Sequence, residues 1–134
     1  MNVCFIDIGG TNIRYSFFYN NKRLSIKKKE IPVSKSFNQI LNEILKEKET
    51  IVTDLVISAA GPKFNQTIKM TNQEFVIDAK KIKKRFNLIN CFVLNDLEAA
   101  GYYLNKIKSN NKITIKEGQK FNNNQILVCP GTGL

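Results

Sequence analysis

The chain contains no histidine and no tryptophan, and it has only three cysteines among its 134 residues. Without histidine, serine–histidine and cysteine–histidine catalysis are excluded within the chain, and so is a histidine-ligated metal. Cys4, Cys91 and Cys129 are odd in number, have no paired spacing and lie within apolar runs, which argues against a disulfide framework or a zinc knuckle. We therefore expect the cysteines to be small core residues in a reducing compartment.

Long apolar runs are also missing. No run approaches the roughly 20 residues that span a bilayer, and the first residues lack the basic and apolar regions of a signal peptide. The sequence therefore predicts a cytoplasmic protein without a membrane partner. Its length suffices for one domain, and 43% hydrophobic with 24% charged residues is typical of a globular protein.

Acidic residues are few, since 11 Asp and Glu stand against 21 Lys and Arg and the formal net charge is +10. A surplus of this size can form a nucleic-acid surface. However, all but three of the basic residues are lysines, as an AT-rich genome would encode, and the clusters at 27–29 and 80–85 have no aromatic residues interleaved for base stacking. We therefore rank nucleic acid last among the partners, although the positive field would attract an anionic nucleotide.

Strand and helix patterns alternate along the chain. Apolar runs predict strands at 3–8, 13–19, 24–31, 55–58, 91–94 and 126–129, with a weak hairpin at 67–71. Apolar residues at helical spacing predict helices that begin after Ser36, after Asp78 and at Asp96, the first of them ending near Glu49. This order indicates an α/β domain with a mixed sheet that opens in a three-stranded antiparallel meander, with a turn at Asn20-Asn21-Lys22.

A glycine loop follows the first predicted strand. Gly9 and Gly10 lack a Cβ, so the backbone can turn tightly and approach a ligand, and successive N–H groups in such a turn form an anion-binding nest. Thr11 adds a hydroxyl donor, and Asp7 could orient Mg²⁺ through water, because Mg²⁺ keeps several waters and takes few carboxylates. Alone, this segment also fits an ordinary glycine hairpin between two strands.

Two further segments fit the same chemistry. Gly131-Thr132-Gly133 follows the last apolar run and could also approach phosphate, although two glycines there also fit a frayed terminus. Asn95 and Asp96 stand where a strand meets a helix, which is where ligands bind in α/β sheets. Asp96 could act as a general base with Asn95 as a positioning amide, or Asp96 could only cap its helix. The two glycine loops favour the first interpretation.

Taken together, these motifs resemble the bacterial glucokinase family. They occur along the chain in the same order as in that family and with sensible spacing. The Asn-Asp segment is closer to the glucokinase form than to the related repressor-and-sugar-kinase group. The resemblance covers the whole chain, but only the first part of a typical family member. The matching segments are Asp7-x-Gly9-Gly10-Thr11-Asn12, Met70-Thr71-Asn72, Leu94-Asn95-Asp96-Leu97-Glu98-Ala99-Ala100-Gly101-Tyr102 and Gly131-Thr132-Gly133-Leu134.

The resemblance implies an actin-like ATPase fold of two ribonuclease-H-like domains, and transfer of the ATP γ-phosphoryl group to the 6-hydroxyl of glucose in glycolysis. It implies that Asp96 is the base and that Asn95 and Asn72 bind the sugar. Phe75 would serve as the aromatic residue that commonly follows the Thr-Asn segment. Phosphate and Mg²⁺ would be held by Asp7, Ile8, Gly9, Gly10, Thr11, Gly131, Thr132 and Gly133, with Asp7 as the metal residue.

The resemblance also implies a division of the chain. Residues 1–121 would form the N-terminal lobe, and residues 122–134 would be the first strand and phosphate loop of a truncated second lobe. We therefore expect no measurable kinase turnover from this chain alone, and an exposed or unpaired segment at 126–129. The alternative is a non-catalytic, degenerate or split lobe that binds sugar, a second lobe or a homo-oligomer partner, and a basic nucleic-acid-binding protein comes last.

Overall fold

The structure is a computed structural model that describes residues 1–47, 51–104, 106–119 and 125–129. It divides into two units, Met1–Asp96 and Leu97–Leu134. The elements in chain order are β1 (Val3–Ile8), β2 (Asn12–Tyr19), β3 (Lys22–Arg23), β4 (Lys27–Glu30), α1 (Phe37–Lys46), β5 (Asp54–Ala59), β6 (Lys63–Phe64), β7 (Thr67–Lys69), β8 (Val76–Asp78), α2 (Ala79–Arg85), β9 (Asn90–Asn95) and α3 (Asp96–Leu104).

The main sheet has the strand order β3-β2-β1-β5-β9, and β4 also pairs with β2. β1 is antiparallel to β2 and parallel to β5, and β5 is parallel to β9. The predicted α/β fold with a mixed sheet is confirmed. The turn between β2 and β3 is also as predicted, because Asn20 and Asn21 have φ of 49° and 57°, the left-handed conformation that a tight hairpin requires.

The expected third strand is divided into β3 and β4, because the ladder contains a bulge. Phe18 pairs with Arg23 and Tyr15 pairs with Lys27. The three residues 24–26 therefore lie opposite only two residues of β2, at positions 16 and 17. The buried Ser16 hydroxyl donates to the carbonyl of Leu24 at 2.7 Å and satisfies part of the interrupted ladder. The opening is therefore two short strands on β2 rather than one continuous strand.

Helix α1 forms where its sequence predicts. The Ser36 hydroxyl accepts from the Gln39 N–H, and the Gln39 side chain accepts from the Ser36 N–H at 2.8 Å, which completes a capping box. The helix ends at Lys46, earlier than the predicted Glu49. Its apolar face packs on one face of the sheet, and the shared core includes Phe37, Ile40, Leu41, Ile44, Cys4, Ile6, Ile8, Leu55, Ile57 and Val93.

A second, three-stranded antiparallel sheet has the order β6-β7-β8. Asn65, with φ of 54°, turns the chain between β6 and β7, so the hairpin predicted at 67–71 begins earlier, at Lys63. Asp78 ends β8 and caps α2, where its carboxylate accepts from the Lys81 N–H at 3.0 Å. Ile82 is buried while the lysines of α2 are exposed, so the basic cluster at 80–85 lies on the surface of a helix.

The second unit agrees with the expectations from the sequence only in part. Ser109–Asn111 is a short 3₁₀ helix. Residues 125–129 form no strand with any of the described residues, and Ile126 is 90% exposed, so the segment is exposed and unpaired, as expected. Cys129 is exposed, so only Cys4, which is buried, and Cys91, which is half-buried, fit the expectation of core cysteines. None of the helices in the described part of the chain is long and apolar enough to cross a membrane.

Candidate active site

The candidate site lies at one edge of the main sheet, where three neighbouring parallel strands end. The register aligns Ile8 of β1 with Ala59 of β5, and Ala59 with Asn95 of β9. Because neighbouring strands lie about 4.8 Å apart, the ends of β1 and β9 are separated by about 10 Å, with the end of β5 between them. Gly9 and Asp96 therefore leave the sheet at the same edge, which is where α/β sheets bind ligands.

The first glycine loop is a tight connection between β1 and β2. The Gly9 N–H donates to the Asn12 carbonyl at 2.9 Å. A Cβ at Gly9 or at Gly10 would make only ordinary van der Waals contact, and of the described glycines only Gly61 has a positive φ. The turn itself therefore does not require glycine at positions 9 and 10.

The flanking residues of this loop divide between core and surface. The Ile8 side chain is buried in the core, so only its backbone could serve a ligand. Thr11 is exposed, its hydroxyl accepts from the Asn12 side chain at 2.8 Å, and its carbonyl accepts from the Ile31 N–H at 2.9 Å. These bonds hold Thr11 at the rim of the loop.

Asp7 has a neighbour that sequence reasoning missed. Its carboxylate lies 3.4 Å from the guanidinium of Arg14, and both side chains are about half exposed. The two residues are cross-strand partners in the β1–β2 ladder, so the register of a short glycine hairpin could have revealed the pair. An exposed pair contributes little to stability, but it puts a guanidinium beside the predicted phosphate loop.

The connection between β7 and β8 brings Asn72 to the glycine loop. A Cβ at Gly10 would lie 3.5 Å from the Asn72 Cβ and 3.6 Å from its Nδ2. The next residue, Gln73, donates from Nε2 to the Gly10 carbonyl at 2.5 Å. The structure therefore brings together Asn72 and Gly10, for which the family resemblance implies sugar and phosphate binding, and adds Gln73, for which the sequence has no signal.

The turn after β5 lies between the two ends of the site. Gly61 has a φ of 151°, and a Cβ there would lie 2.3 Å from the Lys69 carbonyl, so glycine is required. The Asn95 side-chain amide donates to the Gly61 carbonyl at 2.9 Å. The end of β9 is thereby tied to the turn after β5.

Asp96 is the first residue of α3, as predicted, and it is exposed. A general base must be able to reach its substrate, and an exposed carboxylate at the end of a strand meets that requirement. The second glycine loop, at Gly131, Thr132 and Gly133, lies outside the described residues, so its expected contribution stays a prediction.

The acidic residues of the site limit how Mg²⁺ could bind. Among the described residues, no group of three or more His, Cys, Asp or Glu side chains could hold a metal ion. Mg²⁺ is often held by one or two carboxylates together with substrate phosphates and water. Asp7 fits that mode, as a single carboxylate at the end of β1.

The family model of glucokinase matches residues 5–134. The chain belongs to the glucokinase family. It is 28% identical to a glucokinase of Colwellia psychrerythraea over 132 residues, which cover 96% of this chain and 40% of that protein. The chain therefore spans about 40% of the length of the relatives that it matches.

Solved structures of sugar kinases share the fold. The crystal structure of a glucokinase from an Antarctic psychrotroph matches with a TM-score of 0.69 and 23% identity, over 88% of this chain and 39% of that one. A ROK family glucokinase from Streptomyces griseus, solved in complex with glucose and AMPPNP, matches with a TM-score of 0.58 and 24% identity, over 76% of this chain and 35% of that one. The mixed α/β sheet therefore has the same fold as the corresponding part of these two proteins.

Proposed function

We propose that this chain supplies the hexose-binding and catalytic-base part of a glucokinase, which transfers the ATP γ-phosphoryl group to the 6-hydroxyl of glucose in cytoplasmic glycolysis. The observation that carries the proposal is the common edge of the sheet, where Asn72 lies beside Gly10 and Asp96 follows the third of three aligned strand ends. Family membership supplies the reaction class.

Asp96 is the general base in this proposal. As a carboxylate at a helix start it would accept the proton of the sugar hydroxyl as phosphorus–oxygen bonding develops, while Asn95 and Asn72 bind the hexose. A positioned base typically contributes about 10²–10⁴-fold to the rate, which is roughly 3–5 kcal/mol of barrier. Phosphoryl transfer depends mainly on such positioning and on neutralisation of charge.

The phosphates of ATP would meet the backbone N–H groups of Gly9, Gly10 and Thr11, with the Arg14 guanidinium nearby. Mg²⁺ would be held through Asp7, where it would neutralise charge on the phosphate oxygens. Gly131, Thr132 and Gly133 would approach the phosphates from the opposite side. In this scheme residues 1–121 are the ribonuclease-H-like N-terminal lobe, and residues 122–134 begin a second lobe.

A second candidate function is that of a non-catalytic or split lobe that pairs with another chain, either a second lobe or a further copy. One observation favours it. Phe5, Val56 and Phe92 form a row across β1, β5 and β9, and the two phenylalanines are 42% and 52% exposed. Exposed apolar surface on a sheet is a common feature of interaction sites.

Measurements of glucose binding and of turnover distinguish the sugar-kinase function from that of a non-catalytic or split lobe. We expect glucose to shift the amide resonances of residues 95 and 96 in the 134-residue chain, and Asp96→Ala to weaken binding by about tenfold, the effect of one hydrogen bond to a charged group. Asp78→Ala is the matched control, since it removes another carboxylate at a helix start. An equal effect of both substitutions, or no glucose-induced shift, would refute the sugar-kinase proposal.

Turnover is the second measurement. We expect no glucose-dependent ADP production by the purified chain, because the phosphates would be held from one side. Activity that appears when a second polypeptide is added would identify a split enzyme. Turnover by the chain alone that disappears in Asp96→Ala would support the chemistry and contradict the two-lobe division.

A further inference from the structure

The side chain of Gln73 connects two loops that are 63 residues apart in the sequence. Its Nε2 donates to the Gly10 carbonyl, and this is the bond that joins the β7–β8 connection to the glycine loop. Gln73 is half-buried, and the connection that carries it is closed by a bond from the Met70 N–H to the Phe75 carbonyl at 3.0 Å. Phe75 in turn packs on Phe37 of α1, with ring centroids 5.9 Å apart. The Gln73 side chain is therefore carried by a loop whose conformation is restrained by these contacts.

This bond fixes the orientation of one peptide unit. The described chain has no cis peptide bonds, and in a trans peptide the C=O and the following N–H point in opposite directions. Because the Gly10 carbonyl points to Gln73, the Thr11 N–H points away from the β7–β8 connection. The Thr11 carbonyl is held separately by the Ile31 N–H, so the neighbouring peptide unit is restrained as well.

We propose that Gln73 is a positioning residue for nucleotide phosphate, which acts by orienting the Gly10–Thr11 peptide so that its N–H faces the phosphate oxygens. The inference rests on the proposed function of the glycine loop and adds a residue that the family motif does not contain. Gln73 does not touch the reacting atoms in this scheme. Its effect reaches the phosphates through the backbone.

A control residue distinguishes an effect on the position of the glycine loop from a general effect on the stability of the chain. Gln66 is also a side-chain amide of the small sheet that bonds to backbone, since its Oε1 accepts from the Val93 N–H at 3.2 Å. That bond joins β9 to the turn between β6 and β7, away from the glycine loop. Gln73→Met and Gln66→Met each remove one such bond with a side chain of similar length that has no amide.

The experiment measures the affinity of the 134-residue chain for MgATP and, separately, for glucose by titration calorimetry. For Gln73→Met we expect MgATP binding about three- to tenfold weaker, the effect of one neutral hydrogen bond, with glucose binding unchanged. For Gln66→Met we expect a lower Tm and unchanged MgATP binding. In the original chain the Thr11 amide resonance should shift on addition of MgATP, and Gln73→Met should reduce that shift.

Each of the other possible outcomes contradicts a specific part of this inference or of the proposed function. Unchanged MgATP affinity in Gln73→Met overturns the positioning role and leaves the proposed function in place. Equal weakening by both methionine variants shows a general loss of stability and also overturns it. Failure of the original chain to bind MgATP overturns the phosphate role of the loop together with this inference. Binding of MgATP without glucose overturns the sugar assignment, and the two methionine variants still decide the role of Gln73.

Discussion

The Tyr15 hydroxyl donates to the carboxylate of Glu47 at 2.6 Å, and this bond joins the C-terminal end of α1 to β2. Lys27 and Lys29 reach the same carboxylate at 2.8 Å and 2.5 Å. Burial alone would raise the pKa of Glu47, but hydrogen bonds from Lys27, Lys29 and Tyr15 outweigh it and lower the pKa to about 2. The carboxylate is therefore an electrostatic anchor of the first unit.

This anchor predicts acid sensitivity. The pKa of Glu47 is lower in the folded state than its usual 4.5, so its stabilisation is complete above pH 4.5 and is lost as the pH falls towards 2. Glu47→Gln should lower the free energy of unfolding at pH 7 and flatten its fall between pH 4.5 and 2. Urea denaturation at a series of pH values measures this. Glu43→Gln, which removes an exposed partner of Lys35, is the control and should change the free energy of unfolding little. Identical pH profiles for Glu47→Gln and the original chain would contradict the prediction.

The guanidinium of Arg14 should strengthen nucleotide binding. Its contact with Asp7 puts a positive charge beside the glycine loop, so Arg14→Gln should weaken MgATP binding, and the difference should shrink as salt rises, because exposed charges are screened. Calorimetric titration at low and high ionic strength provides the test. Arg23→Gln, on the short strand β3, removes the same charge elsewhere and should have a smaller effect. Equal losses from both substitutions would show a net-charge effect only.

Gly61 should tolerate no side chain. An added Cβ would lie 2.3 Å from the Lys69 carbonyl at a φ of 151°, so Gly61→Ala should destabilise the chain by more than about 1 kcal/mol. Thermal unfolding followed by circular dichroism measures the effect. Gly101→Ala is the control, because a Cβ there meets nothing within 4 Å. A Gly61→Ala variant as stable as the original chain would contradict the steric argument.

The three cysteines should differ in reactivity. Burial raises the pKa of the Cys4 thiol to about 12 and that of Cys91 to about 11, and thiols in that state are poor nucleophiles. Cys129 is exposed. A colorimetric thiol reagent should therefore label one cysteine quickly in the native chain, and Cys129→Ser should abolish that fast phase while unfolding in urea exposes the others. A fast phase that survives Cys129→Ser would contradict this ranking.

Local patterns in the sequence predicted much of the first unit. The apolar runs located β1, β5 and β9 to within one or two residues, because buried parallel strands consist of continuous apolar residues. Ser36 and Gln39 located the start of α1, because a capping box is formed by residues three apart. The helix starts at Asp78 and Asp96 were predicted from equally local patterns.

Features that depend on long-range contacts were missed. The small sheet consists of strands of two or three residues, too short to show alternation, so β8 had no signal. The division of the third strand follows from a register shift against β2, which composition does not reveal. The bond from Gln73 to Gly10 joins residues 63 apart, and only tertiary packing brings them together.

The small sheet connects the separate parts of the proposed site. It touches the glycine loop through Gln73, supports the turn after β5 through Lys69 and reaches β9 through Gln66. Asn72, which would bind the hexose, lies beside Gly10, which would meet the phosphates of the nucleotide. Hexose and nucleotide should then alter each other's affinity, and thermodynamic reciprocity makes the two factors equal, so that titrating glucose with and without MgATP gives the coupling directly.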